Sequence, residues 1–289
     1  MKPVLSLRQA RSLVICGVIP ARMQSQRLPG KPLLPICARP MIHWVYERSC
    51  TSTLLNRLVV ATDSDQILRY CADHGIPALS TSRQHLSGTD RLIEVMQRES
   101  ANGRAADLYV NIQGDEPMVT AHHIDLLVRP FVRPGSIADP VERPPDPSGS
   151  SYASPSPGSE MAQVSTLRVA ITEEAATDPD NVKVVTDSRG WALYFSRAAI
   201  PHHRENSGRV RYYKHLGFYA YTPAALRQFH SLAPSPLEQS EGLEQLRFLE
   251  NGIPIAVLET GADTIGVDTE DDLRRVERYF QQAGMGATP

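Results

Sequence analysis

Leu13-Val-Ile-Cys-Gly-Val-Ile19 runs straight into Pro20-Ala-Arg-Met-Gln-Ser-Gln-Arg-Leu-Pro-Gly-Lys-Pro-Leu-Leu34. An unbroken apolar run of this length, ended by proline and a polar loop, reads as a buried strand. The loop carries Arg22, Arg27 and Lys31, with Gly30 beside the lysine. The carboxyl ends of strands are where open α/β sheets bind ligands. Three cations there suit a polyanion such as a triphosphate, because charge-assisted bonds are roughly twice as strong as neutral ones. From residue types alone, a solvated basic loop is the competing reading.

Outward from this stretch the first half alternates. Met41 to Ser49 has helical spacing, Arg57 to Ala61 is strand-like, and Asp65 to His74 is helical, with Asp65 as N-cap and Gly75 just past the end. Ala78 to Thr81 reads as a strand, Asp90 to Glu99 as a helix and Leu108 to Ile112 as another apolar strand. Alternation of this kind argues for a parallel sheet covered by helices on both faces. From Arg129 to about Glu160 the chain is dense in Pro, Ser and Gly, too poor in large apolar residues to offset its ordering entropy, and reads as a flexible insertion. Strands return at Gln163 to Ile171, Asn181 to Thr186, Trp191 to Ser196, Tyr212 to Tyr221 and Ala256 to Glu259. Helices are expected over Pro223 to His230, Glu238 to Leu249 and Asp271 to Phe280, the last capped by Asp268 or Thr269. The expected organisation is an extension at 1–12, one domain over 13–283 with an insertion at about 133–160, and a tail at 284–289.

Composition excludes several classes. In 289 residues the formal net charge is −2, too small a field to draw in nucleic acid or a membrane surface. No stretch is long enough to span a bilayer, and Pro20-Ala-Arg22 is no signal-peptide cleavage pattern. Cys16, Cys37, Cys50 and Cys71 form no C-x-x-C pair, so reduced thiols and a cytoplasmic home are expected. Gly30-Lys31-Pro32 is no Walker A sequence, and no G-x-G-x-x-G follows a strand.

Two acidic stretches could serve a hard cation. Gln113-Gly-Asp-Glu-Pro117 follows a strand, and Asp115 there can bind Mg2+ through oxygen. Asp268 in Gly266-Val-Asp-Thr-Glu270 could join it if the fold brings the two together. A simple turn and an ordinary helix cap are the competing readings. Asp63-Ser-Asp65 matches the D-x-D of metal-dependent glycosyltransferases, at a spacing common by chance. His202-His203 reads as surface, since neighbours on a strand face opposite ways.

Taken together, I-P-A-R-x-x-S-x-R-L-P-G-K-P-L and the later islands VVATDSDQI, SGTDRLIEV, VNIQGDEPM, NVKVVTDSRGWALYFSRAAIP, KHLGFYAYT, PSPLEQSEGLEQLRFLENG and GVDTEDDLRRV closely resemble the 3-deoxy-manno-octulosonate (Kdo) cytidylyltransferases, also called CMP-Kdo synthetases. The resemblance implies an α/β nucleotidyltransferase fold, Rossmann-like and of the glycosyltransferase-A type, with a mixed sheet flanked by helices and a dimerisation β subregion. It implies a homodimer that couples CTP to the anomeric hydroxyl of Kdo, releases pyrophosphate and feeds lipopolysaccharide synthesis. Residue by residue, it puts Arg22 and Lys31 on the CTP phosphates with Ala21, Ser25 and Arg27. Arg83, Ser87, Gly88 and Gln113 would lie around cytosine and ribose. Asp115 and Asp268 would hold Mg2+ and, with Arg22 and Lys31, form the catalytic set. Arg197, His215, Tyr219, Glu244 and Gln245 would line the sugar pocket. The insertion has no counterpart in the family pattern, and His202 stands where the family often has an aromatic residue. Those departures leave 8-amino-Kdo, sialic acid or a phosphonate as alternative acceptors.

Overall fold

The computed structural model describes residues 13–25, 27–85, 87–132, 162–204 and 210–285. The expected extension at 1–12, the insertion at about 133–160 and all of the tail beyond Met285 lie outside the described residues. In chain order the elements are β1 (Ile15–Ala21), β2 (Pro35–Ile36), β3 (Arg39–Pro40), α1 (Met41–Ser49), β4 (Arg57–Thr62), α2 (Asp65–Asp73), β5 (Ala78–Ser80), α3 (Gly88–Ala101), β6 (Leu108–Asn111) and α4 (Ala121–Val128). There follow β7 (Val164–Ile171), α5 (Glu173–Thr177), β8 (Lys183–Thr186), β9 (Ala192–Ser196), β10 (Tyr212–Tyr221), α6 (Pro223–Ser231), α7 (Pro236–Glu241), α8 (Gln245–Glu250), β11 (Ile255–Glu259) and α9 (Glu270–Gln282).

The main sheet runs β11-β7-β10-β6-β1-β4-β5, with β8 and β9 attached beside β10. Strand β1 pairs in parallel with both β4 and β6. Side chains of β1 are buried on both faces: Ile15, Ile19 and Ala21 join the core under α1, α2 and α4, whereas Cys16 and Val18 join the core under α3, α6 and α8. A strand covered on both sides has no polar face, which is why its sequence is continuously apolar.

Strand–helix alternation alone argues for a parallel sheet; the sheet is mixed, as the resemblance implies, because β10 runs antiparallel to β6 and β7. Its amino-terminal half therefore lies beyond the carboxyl end of β6, where ligand-facing residues collect. The helix expected over Glu238 to Leu249 is two helices, broken at Gly242, which takes φ 65° and caps α7. Arg247 binds Glu238 through Nε at 2.7 Å and folds α8 back on α7. Ser64, not Asp65, caps α2, its hydroxyl accepting from the Ile67 amide. Thr269 caps α9 in a reciprocal arrangement with Asp272, which leaves Asp268 outside the helix. A third cluster, with Leu28, Ile36, Trp44, Val276 and Phe280, packs α9 against the segment after the cationic loop.

Candidate functional site

The loop after β6 crosses the end of β1 closely. A Cβ on Gly114 would stand 2.7 Å from the Pro20 carbonyl oxygen, so only glycine fits without backbone movement. This crossing sets Asp115 beside the cationic loop. The Val267 amide then donates to the Asp115 carbonyl at 2.9 Å, which brings Asp268 to the same place.

Lys31 joins the two acids. Its Nζ lies 2.6 Å from Asp115 Oδ2 and 3.0 Å from Asp268 Oδ1. Arg27 Nη2 reaches the other oxygen of Asp268 at 2.8 Å. Burial pulls the Lys31 ammonium down, but the two carboxylates outweigh it and hold its pKa above the ordinary value. Arg22 follows β1 directly and is exposed on the same cavity, and Ser25 Oγ accepts from the Leu28 amide at 3.2 Å, bracing the loop.

Two cavities meet here. The smaller, of about 810 Å3, is lined by Ala21, Arg22, Ser25, Lys31, Ser87 and Asp115 among others. The larger, of about 1430 Å3, takes in Arg197, His215, Tyr219, Glu244 and Gln245. Arg27, Gly88, Gln113 and Asp268 line both, so the two form one cleft. Every expected site residue except Arg83 is on this cleft. Arg83 is largely exposed, pairs with Asp65 at 3.6 Å and lines neither cavity. His85 and Arg91 of the same stretch line the smaller cavity instead. Asp63 is held by the buried Arg91 at 2.8 Å, an ion pair rather than half of a D-x-D metal site.

The wall of the larger cavity is polar and buried. Thr89 Oγ1 donates to Glu244 Oε2 at 2.9 Å; burial nevertheless raises the Glu244 carboxyl. Burial pushes His215 down to about 3, with the Lys214 charge acting the same way, so the ring is neutral. Burial, with the Asp115 charge in support, pushes Glu116 up to about 8. Arg197 is fixed by Nε to the Glu241 carbonyl at 2.9 Å and by Nη1 to the Pro179 carbonyl at 3.1 Å. Asn111 Oδ1, Glu116 Oε2, Tyr219 Oη and Gln245 Nε2 are shut off from solvent, make no hydrogen bond in the structure and belong to residues lining this cavity. Asn111 and Glu116 were not singled out from sequence. The available signal was a polar Asn111 inside an otherwise apolar strand.

The acids fit Mg2+. Among the described residues no cluster of three or more metal-ligating side chains occurs. Two carboxylates flanking one cationic point are what Mg2+ commonly takes from protein, the other positions going to water and substrate phosphate. The cleft thus offers fixed cations, two carboxylates that could hold a hard cation, and an adjoining polar pocket.

A family profile described as cytidylyltransferase matches residues 16–259. A 3-deoxy-manno-octulosonate cytidylyltransferase from Acidobacterium capsulatum is 46% identical over 269 residues, covering 93% of this chain and 97% of that protein. Its counterpart from Koribacter versatilis is 46% identical over 265 residues, covering 92% and 89%. A solved structure of CMP:2-keto-3-deoxy-manno-octonic acid synthetase complexed with CTP superposes with a TM-score of 0.78 at 39% identity, over 93% of this chain and 99% of the other. The chain therefore belongs to the cytidylyltransferases, in the family of the 3-deoxy-manno-octulosonate enzymes.

Proposed function

We propose that this chain transfers CMP from CTP to the anomeric hydroxyl of Kdo and releases pyrophosphate, making CMP-Kdo for lipopolysaccharide assembly. The observation that carries the acceptor half is the polar lining of the larger cavity, where Arg197, His215, Tyr219, Glu244 and Gln245 stand on a wall continuous with the phosphate side. A cation beside groups that both donate and accept hydrogen bonds is suited to an acid rich in hydroxyls.

Arg22 and Lys31, with Ala21, Ser25 and Arg27, take the triphosphate. Ser87, Gly88 and Gln113 border the nucleoside side, with His85 and Arg91 in place of the expected Arg83. Arg197, His215, Tyr219, Glu244 and Gln245 bind the sugar acid. Asp115 and Asp268 hold Mg2+, which when bound supplies charge neutralisation at the phosphates and a more acidic attacking hydroxyl. The protein itself aligns the hydroxyl with the α-phosphorus and the leaving pyrophosphate, since positioning and preset charge do most of the work in such transfers. Lys31 must leave the two acids for the phosphates as the nucleotide arrives, because ammonium and Mg2+ compete for the same oxygens.

The test is pyrophosphate release by the purified chain from CTP with Mg2+ and Kdo. Release that depends on all three is expected. None with Kdo, but release with sialic acid or 8-amino-Kdo, would replace the acceptor, and none with any acid would overturn the reading. We also infer a homodimer, consistent with Leu193 standing 61% exposed on the outlying strand β9; light scattering in solution checks it. A cytoplasmic location accords with four free cysteines and, among the described residues, no helix long and apolar enough to cross a membrane.

A further inference from the structure

Thr166 lies in β7, completely buried, opposite an irregularity in β10. The ladder pairs Leu216 with Leu167 and then Tyr219 with Thr166, so Gly217 and Phe218 bulge out between them. Because two residues are accommodated, the in–out alternation survives. His215, Gly217 and Tyr219 line the larger cavity, while Leu216 and Phe218 pack into the core on the other face. Bulges of this sort re-aim side chains beside active sites.

The Thr166 hydroxyl sits at the centre of the bulge. Its oxygen is 2.8 Å from the Phe218 carbonyl oxygen and 3.3 Å from that of Leu216. It is also 3.0 Å from His215 Nε2. A hydroxyl has one proton and two lone pairs, and a carbonyl can only accept. The proton is therefore committed to the carbonyls, and only a lone pair faces the imidazole. Were the proton given to the ring instead, a bare oxygen would stand 2.8 Å from a carbonyl oxygen. Nε2 must then be the protonated nitrogen. The ring is neutral, so Nδ1 carries the lone pair. No hydrogen bond to Nδ1 occurs among the described residues, and the Phe195 ring meets the imidazole edge-on at 5.0 Å and limits its rotation.

We propose that Thr166 is a positioning residue: it fixes the Nε2–H tautomer of His215 and so presents Nδ1 to the acceptor pocket as an acceptor for one hydroxyl of the sugar acid. The functional half of this rests on the proposed role of that pocket. A site that can only accept at this point favours an acid with a hydroxyl there, since buried polar groups built for a substrate hydroxyl discriminate strongly against its absence.

The experiment uses the full chain labelled with 15N-histidine, its imidazole tautomers read by two-bond proton–nitrogen correlation. The His215 signals are identified as those missing from His215→Gln. Wild type is expected to show Nε2–H, with no substrate present. Thr166→Val is expected to lose that pattern and to raise KM for Kdo about tenfold, the factor that one neutral hydrogen bond commands. Its kcat should stay within about threefold and its KM for CTP should not move, as for an interaction made equally in ground and transition states. Thr166→Ser should restore both tautomer and KM. A wild-type His215 protonated at Nδ1 overturns the proposal, as does a folded Thr166→Val that keeps the wild-type KM for Kdo. The spectrum needs no substrate, so it decides even if the valine variant does not fold. Absence of pyrophosphate release with Kdo would instead count against the function alone.

Discussion

Replacing Lys31 with methionine should tighten divalent-metal binding while crippling the enzyme. Lys31 Nζ sits between Asp115 Oδ2 and Asp268 Oδ1, at 2.6 and 3.0 Å. Mg2+ binds carboxylate oxygen at about 2.0–2.1 Å, so ammonium and metal cannot share that point. The Lys31 side chain is only 12% exposed, but Asp115 and Asp268 are 34% and 47% exposed, so solvent screens both pairs. Each screened pair is worth about 0.2–1 kcal/mol, and the two together handicap the metal by about 0.4–2 kcal/mol. Methionine keeps the buried stem, removes the competitor and should tighten Mn2+ or Mg2+ binding to the nucleotide-free protein by about 2- to 30-fold. The same change removes a charge-assisted phosphate contact worth about 1.5–3 kcal/mol, so kcat/KM for CTP should fall by about 10- to 150-fold. Titration calorimetry with metal alone reads the first effect and pyrophosphate release the second. Weaker metal binding in Lys31→Met, or a kcat/KM within threefold of wild type, would refute the argument that one lysine serves two sites in turn.

Three further outcomes are expected. The unfolded His215 imidazole protonates near its ordinary pKa of about 6.5 and the folded one near about 3, so between these the unfolded chain binds more protons and stability falls as pH drops; above the window the contribution is intact. At pH 4.5 that loss is about 2–3 kcal/mol, and denaturant unfolding of His215→Gln should be less pH-dependent than wild type by that amount. Asp63→Ala strands the buried Arg91, 3% exposed, and should cost about 3 kcal/mol in denaturation while the Mg2+ dependence of the folded fraction stays that of wild type. Lost turnover with unchanged stability would instead revive the D-x-D reading. Gly114→Ala forces a carbon to within 2.7 Å of the Pro20 carbonyl oxygen and should displace Asp115, lowering kcat about 100-fold; wild-type kcat would mean that the crossing is not what aims the acid.

Much of the fold was legible because its signals are local. Continuous apolar strands, helices of regular period and Gly75 at φ 67° after α2 all announce themselves in a few residues. What escaped was set at a distance or disguised. The hairpin of β2 and β3 turns through Cys37 and Ala38 at φ 47° and 65°, without the Gly or Asn that normally marks such a turn. Helix α4 is eight residues long, closed by Arg129-Pro130, too short to display a period. The direction of β10 is invisible in its own residues, because side-chain alternation is the same in parallel and antiparallel strands. The expected site residues were legible as a pattern rather than as geometry. Arg83 and Arg91 sit on one quoted stretch, yet only Arg91, anchored through Asp63 and Thr81, turns to the cleft.

The electrostatics of the cleft explain why its two acids come from distant parts of the chain. A protein of formal charge −2 has no overall field to draw in a triphosphate, so attraction must be local. Two bare carboxylates beside Arg22 would cancel much of that attraction. With Lys31 on both acids and Arg27 on one, the acids are neutralised, and the loop stays net cationic toward an approaching polyanion. This arrangement works only if Asp268 is held to the loop independently of the ion pairs. The Val267–Asp115 backbone bond and the seating of Phe280 against Trp44, ring centroids 4.8 Å apart, provide that hold. Helix α9 therefore helps to place Asp268, and it also touches that residue directly, Asp272 Oδ2 accepting from the Asp268 amide at 3.3 Å. Loosening its apolar face should cost metal affinity before it costs nucleotide contacts made by β1 and its loop.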